Sequence, residues 1–72
     1  MKFKQIIAKS FNEPTKKISE NLKLSKFNWD SMAKINLITI IDKKYNKTLD
    51  FRKFEKIKTF KDLDNLIYQA IK

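Results

Sequence analysis

The chain has 72 residues, a formal net charge of +9 and no cysteine, histidine or glycine. This length allows one small domain with a modest core. The missing residue types exclude disulfides, thiolate or imidazole metal sites, a histidine base, a P-loop and a dinucleotide fingerprint. The chain is therefore read as a non-enzyme. No apolar run approaches the roughly 18 residues of a membrane span, and the N-terminus lacks the short apolar block of a secretory signal, so the expected location is cytoplasmic. The positive charge would ordinarily suggest nucleic acid or an anionic membrane surface. Composition competes with that reading: Lys, Asn, Ile and Phe make up 38 of the 72 residues, and all four have codons rich in A and T.

Residues 2–12 carry Phe3, Ile6, Ile7 and Phe11 at helical spacing, with Lys2, Lys4 and Lys9 on the wet side, which predicts a first helix with one buried stripe. Asn12 suits its C-terminal end, and Pro14 cannot continue a helix interior. From Glu13 to Asp30 the chain is polar but studded with Ile18, Leu22, Leu24, Phe27 and Trp29. This reads as a long connection with room for a short helical turn within 15–21. A loop of such length in a small domain needs apolar residues that pin it. Leu24 and Phe27 are the candidate pins, and Trp29 is either a third pin or a partly exposed aromatic.

Asp30 and Ser31 are both good N-cap types, and they precede a helix predicted over 31–45. At about 100° per residue, Ile35, Leu37, Ile38, Ile41 and Tyr45 are read as its buried side, with Asn36, Thr39 and Lys43 opposite. Ile40 falls outside that stripe, to pack on the next helix or stay partly exposed. The first free N–H groups of this helix give the Ser31 hydroxyl a locally positive setting. After the Asn46-Lys47 turn and the Thr48-Leu49 link, Asp50 can cap a short third helix, 51–56, with Phe51 and Phe54 pointing inward together. Thr59-Phe60-Lys61-Asp62 matches a helix-start signature. Phe60, Leu63, Leu66, Ile67, Ala70 and Ile71 then trace one stripe over 60–71. The expected fold is all-α: a small four-helix bundle with a short third helix and an overlong first connection.

Phe27-Asn28-Trp29-Asp30-Ser31-Met32 resembles the Leu-Gly-x-Asp-Ser-Leu signature of acyl carrier proteins, whose serine carries 4′-phosphopantetheine. The resemblance runs on without a gap from Asp30 to Phe60, where Ile57-Lys58-Thr59-Phe60 resembles the family's Ile-x-Thr-Val. It implies a four-helix bundle of acyl-carrier type. It also implies a 4′-phosphopantetheine arm placed on Ser31 by a phosphopantetheinyl transferase, and acyl or aminoacyl groups held as thioesters on that arm. Asp30 would cap the helix or help position the transferase's magnesium; one carboxylate alone is a poor site for a hard cation, which favours the cap. Met32 would meet partner enzymes or fold back over the loop. An unassisted serine hydroxyl is a weak nucleophile, so the activating groups must come from the transferase.

Two positions depart from the family pattern. Asn28 stands where the family has glycine, and asparagine is the next most tolerant residue for a left-handed backbone. The family's second helix is acidic, whereas here its outward positions include Lys34, Asn36, Lys43 and Lys44. These lysines are either a solvated face or a docking surface for partners with acidic or apolar patches, which points to a dedicated pathway. The expected state is a monomer. Alternatives are a D-alanyl or other amino-acid carrier, an unmodified carrier-like adaptor, and a small basic nucleic-acid-binding domain. Against the last, the first two helices are too far apart for a helix-turn-helix, the lysines are scattered, and Arg52 is the only arginine.

Overall fold

A computed structural model describes residues 1–72, with three α-helices, α1 (Lys4–Phe11), α2 (Ser31–Tyr45) and α3 (Phe60–Ile71). A six-residue 3₁₀-helix, Phe51–Lys56, forms the short helix between α2 and α3. Helices make up 65 % of the chain and there is no strand. α1 is shorter than the predicted 2–12, because Phe3 is already its non-helical N-cap and Asn12 its left-handed C-terminal residue.

Local hydrogen bonding explains each end. At Asn12 (φ 58°) the N–H donates to the Lys9 carbonyl, and the Glu13 N–H donates to the Ala8 carbonyl at 3.0 Å. This is a Schellman ending with asparagine doing what glycine usually does. Asn46 (φ 57°) ends α2 in the same left-handed conformation. α3 begins with a reciprocal capping box: Thr59 Oγ1 accepts from the Asp62 N–H, while Asp62 Oδ2 accepts from the Thr59 N–H, both at 3.2 Å. The start of α1 has no such local cap. Its anchor comes from α3, where buried Asp64 accepts from the Lys2 N–H at 3.0 Å and the Phe3 N–H at 2.8 Å.

The core joins Phe3, Ile6, Ile7 and Ala8 of the first segment to Leu37 and Ile41 of α2, and to Phe60, Leu63 and Ile67 of α3. Leu49 and Phe54 close it from the 3₁₀ side. Phe11 is the hub of an aromatic cluster, stacked on Trp29 at 5.1 Å and tilted against Phe60 at 5.3 Å. Trp29 meets Phe54 edge-on at 5.3 Å, so four segments of the chain converge there.

The long connection is held down along its whole course. Leu24 is buried and Phe27 half-buried as pins, and Ile18 is a further buried pin. Two short 3₁₀ turns, Thr15–Lys17 and Leu24–Lys26, break the connection into pieces. Backbone bonds tie it to the start of α3: Leu24 N–H to the Lys58 carbonyl at 2.8 Å, and Phe60 N–H to the Leu22 carbonyl at 3.0 Å. These bonds meet the connection's buried polar groups without a sheet.

Three expectations are corrected. Ile35 is 49 % exposed rather than buried. It precedes Leu37 by two residues and so lies about 160° round the helix from it. The buried line is Ala33, Leu37 and Ile41, with Ile38, Ile40 and Tyr45 half-buried beside it. Phe51 is 43 % exposed, not inward, because Phe54 takes the core position and Phe51 stays at the rim with a ring contact at 6.0 Å. Asn28 is not left-handed. The Trp29 N–H donates to the Phe27 carbonyl at 2.9 Å, an inverse γ-turn that needs no positive φ, so the corner forms without glycine.

The α3 cap carries a pH signature. Asp62 is held below the usual carboxylate range, first by the Lys58 N–H and then by the Thr59 N–H, both donating to the ionised form. A carboxyl depressed on folding contributes stability above its unfolded value of about 3.9, and that contribution disappears as pH falls through the lower folded value. The melting-temperature gap between the parent and Asp62→Asn is thus expected to be constant above about pH 5 and to close below about pH 4. Thermal melts followed by circular dichroism at several pH values check this; a gap unchanged into strong acid would show that charge is not what the cap uses.

Candidate functional site

Ser31 is the first residue of α2, placed there by the Asp30 cap. Asp30 is extended (φ −100°, ψ −174°), and its Oδ1 accepts from the Ala33 N–H at 3.0 Å. Its carbonyl accepts the first helical bond, from the Lys34 N–H at 3.1 Å. That geometry is an N-cap, which occupies one of Asp30's oxygens and fixes the direction of the helix. The Ser31 side chain is exposed, and no group of the protein bonds its hydroxyl.

Ser31 is open, but the chain on either side of it is bonded and packed. Two residues before it, Trp29 is clamped between Phe11 and Phe54. The γ-turn at Asn28 and the cap at Asp30 complete the corner. Trp29 is therefore the third pin of the loop, half-buried rather than free. Its remaining exposed surface borders Lys34, whose ammonium lies 5.5 Å from the indole and 5.7 Å from the Phe51 ring. A cation over two aromatic faces is held in place by their quadrupoles.

Two clefts flank the corner. A shallow one of about 150 Å³ runs between the end of α1 and Asn28, Asp30, Met32 and Asn36. A larger one of about 340 Å³, on the other side of Trp29, is walled by Leu24, Phe27, Trp29 and Ile57, with Lys23, Ser25 and Lys58 at its edge. Met32 is 63 % exposed, so it does not fold back over the loop. Met32 and Ile35, three residues apart on one side of α2, are exposed large apolar residues, while exposed Phe51 lies by Lys34, about 160° round the helix from Met32. Ile35 and Phe51 were expected inside, and both instead add exposed apolar area. An isoleucine two positions from a core leucine is the sequence signal for it.

The lysines expected to form one docking face are divided. Lys34 belongs to the Ser31 corner, and Lys43 is exposed on the outer side of α2 near its far end. Lys44 lines a different cleft, beside Lys2 and Lys4. Nowhere do three or more His, Cys, Asp or Glu side chains gather as metal ligands would. No helix is long and apolar enough to cross a membrane.

The corner can offer a fixed, solvent-facing hydroxyl at the positive end of a 15-residue helix, with an apolar cleft and a lysine close by. A phosphodiester anion on Ser31 Oγ fits that setting, because the helix end favours negative charge and the cap keeps the Asp30 carboxylate bonded to backbone. No protein-family model matches the chain, and no curated protein matches it.

Proposed function

We propose that this chain is a carrier protein with 4′-phosphopantetheine on Ser31, serving a dedicated pathway of acyl or aminoacyl transfer. The single observation that carries the reading is the exposed, unbonded Ser31 hydroxyl at the first position of α2, fixed by the Asp30 cap within an Asp-Ser-Met corner. When attached, the arm ends in a thiol that carries its cargo as a thioester. The protein's part is to present Ser31 Oγ, to hold the corner in place through Trp29, and to supply the cleft walled by Leu24, Phe27, Trp29 and Ile57. In the attachment reaction Ser31 Oγ bonds to the 4′-phosphate of coenzyme A, the phosphoanhydride breaks and adenosine 3′,5′-bisphosphate leaves. The hydroxyl proton passes to the transferase, since no base of this chain reaches Ser31.

The docking surface in this reading is the exposed side of α2 with Met32 and Ile35, flanked by Lys34 and Phe51. Apolar contact flanked by a cation selects partners with apolar or acidic patches and disfavours basic ones. The chain itself performs no catalysis here and acts as a monomer between enzymes.

The test is intact mass after incubation with coenzyme A, magnesium and a broad-specificity phosphopantetheinyl transferase. One phosphopantetheinyl increment is expected on the parent and none on Ser31→Ala, with both proteins equally helical. Folded parent protein that gains no mass with several transferases, or an increment that persists in Ser31→Ala, would overturn the proposal.

A further inference from the structure

Lys44 lies 13 residues beyond Ser31 on α2, roughly 20 Å along the helix. At that remote end the first turn of α1 and the last turn of α2 enclose a cleft of about 460 Å³. Lys2, Lys4 and Lys44 line it, together with Gln5, Thr15 and Tyr45, and no aspartate or glutamate does. Two acids bond to its wall, though to no lysine side chain there, and Glu20 pairs with the Met1 ammonium at 3.3 Å. Asp64 gives its oxygens to the Lys2 and Phe3 N–H groups, and Glu20 lines a neighbouring cleft with Lys4 and Lys16. Lys17 is the only lysine with a carboxylate within 4.0 Å, so neither Lys4 nor Lys44 is neutralised by an ion pair.

Lysines elsewhere on this basic chain are placed differently. Lys23 and Lys58 edge a cleft with mainly apolar walls, and Lys53 shares a cleft with Asp50. Only at the α1–α2 end do three lysines line one cleft with no acidic residue among its walls, the Lys2 ammonium itself lying 4.2 Å from the Tyr68 ring at the rim. A concave low-dielectric wall focuses the field of like charges and concentrates counter-ions. The Thr15 hydroxyl, the Gln5 amide and the Tyr45 hydroxyl add neutral donors, and ammonium-to-phosphate hydrogen bonds are among the stronger polar contacts. The cleft volume falls in the range of about 300–1,000 Å³ usual for small-molecule sites.

We propose that this cleft is a binding site for a phosphate-bearing anion, held by Lys4 and Lys44 with Lys2 at its rim. It is separate from the Ser31 corner and independent of any modification there. The phosphate belongs to a soluble phosphoanhydride or to a phosphorylated lipid headgroup; the chemistry recognised is the same, and the two sources separate experimentally.

The test uses the unmodified full chain, uniformly ¹⁵N-labelled, titrated with inorganic pyrophosphate at constant ionic strength. A second arm measures co-sedimentation with phosphatidylcholine vesicles containing or lacking phosphatidic acid. Amide shifts are expected at residues 2–6, 15, 44 and 45. Lys4→Gln/Lys44→Gln should weaken binding about tenfold or more, with helical circular dichroism unchanged, because neither side chain has an ion pair to lose. Lys23→Gln/Lys58→Gln should bind as the parent does. Binding to phosphatidic-acid vesicles alone, lost in Lys4→Gln/Lys44→Gln, supports the site with a lipid headgroup as the source. Shifts spread evenly over the lysine-bearing segments, equal weakening in both double variants, or no binding in either arm would overturn it.

Discussion

Leu37→Asp is expected to leave the chain without a cooperative melting transition at 25 °C, while Ile35→Asp melts close to the parent. The two positions are two residues apart on one helix, yet Leu37 is fully buried and Ile35 is 49 % exposed. An unpaired carboxylate at Leu37 would face Ile7, Ile41 and Phe60 in the same core, at a cost of several kcal/mol. A domain of this size has about 4–11 kcal/mol to lose. At Ile35 the carboxylate would sit in water, in the second turn of α2, where exposed substitutions usually change stability by about 0.5 kcal/mol or less. Ile38→Asp, at a half-buried position, should fall between the two. Thermal melts of the three variants by circular dichroism decide the matter. If Ile35→Asp were as damaged as Leu37→Asp, the Ala33–Leu37–Ile41 line would not be the buried face of α2.

Asp64→Ala is expected to lower the melting temperature by on the order of 10–30 °C, more than any other single removal of a polar side chain in this fold. The buried Asp64 carboxylate accepts from two consecutive backbone N–H groups, Lys2 and Phe3, 62 and 61 residues away. Hydrogen bonds to a charged group contribute about 1.5–3 kcal/mol each, and truncation strands the Phe3 donor in a buried setting. A net loss of about 2–4 kcal/mol corresponds to that shift at about 4–8 °C per kcal/mol. Asp64→Asn should recover part of it, since a carboxamide oxygen in the Oδ1 position can accept from both N–H groups, while its NH₂ opposes the Lys2 N–H that Oδ2 also accepts. Hydrogen exchange should locate the damage: amides of Ile7 to Ser10 exchange faster in Asp64→Ala, whereas those of residues 34–41 in α2 follow only the global loss. Unchanged exchange in α1 would show that the Asp64 contacts do not anchor that helix.

The cap that places Ser31 was legible because the bonds that make it are local. The Asp30 cap reaches three residues to Ala33, and a carboxylate beside a serine before an apolar run states that geometry in the sequence. The surroundings were less legible. α2 carries isoleucine or leucine at 35, 37, 38, 40 and 41, so its apolar residues cover too much of the circumference for periodicity to choose a face. The choice of face decides whether Ile35 belongs to the core or to the surface beside Ser31. Phe51 followed the same logic: a spacing of three places it over Phe54, but nothing local says which ring the core admits.

From the sequence alone follow those features whose hydrogen bonds and packing close within a turn of chain. These are the ranges of α2 and α3, the Asp30 cap, the Thr59–Asp62 capping box and the apolar stripes of α1 and α3. The tertiary structure decided what depends on segments far apart in sequence. It buried Ile18, tied residues 22–24 to 58–60 through backbone bonds, clamped Trp29 between Phe11 and Phe54, and gave the start of α1 its anchor in Asp64. It also set Lys44, which the length of α2 alone parts from Ser31, beside Lys2 and Lys4. The physical reason is common to all of these: a cap or stripe is fixed by neighbours along the chain, whereas the partner of a buried carboxylate, a pinning side chain or a surface lysine is fixed only when the helices pack.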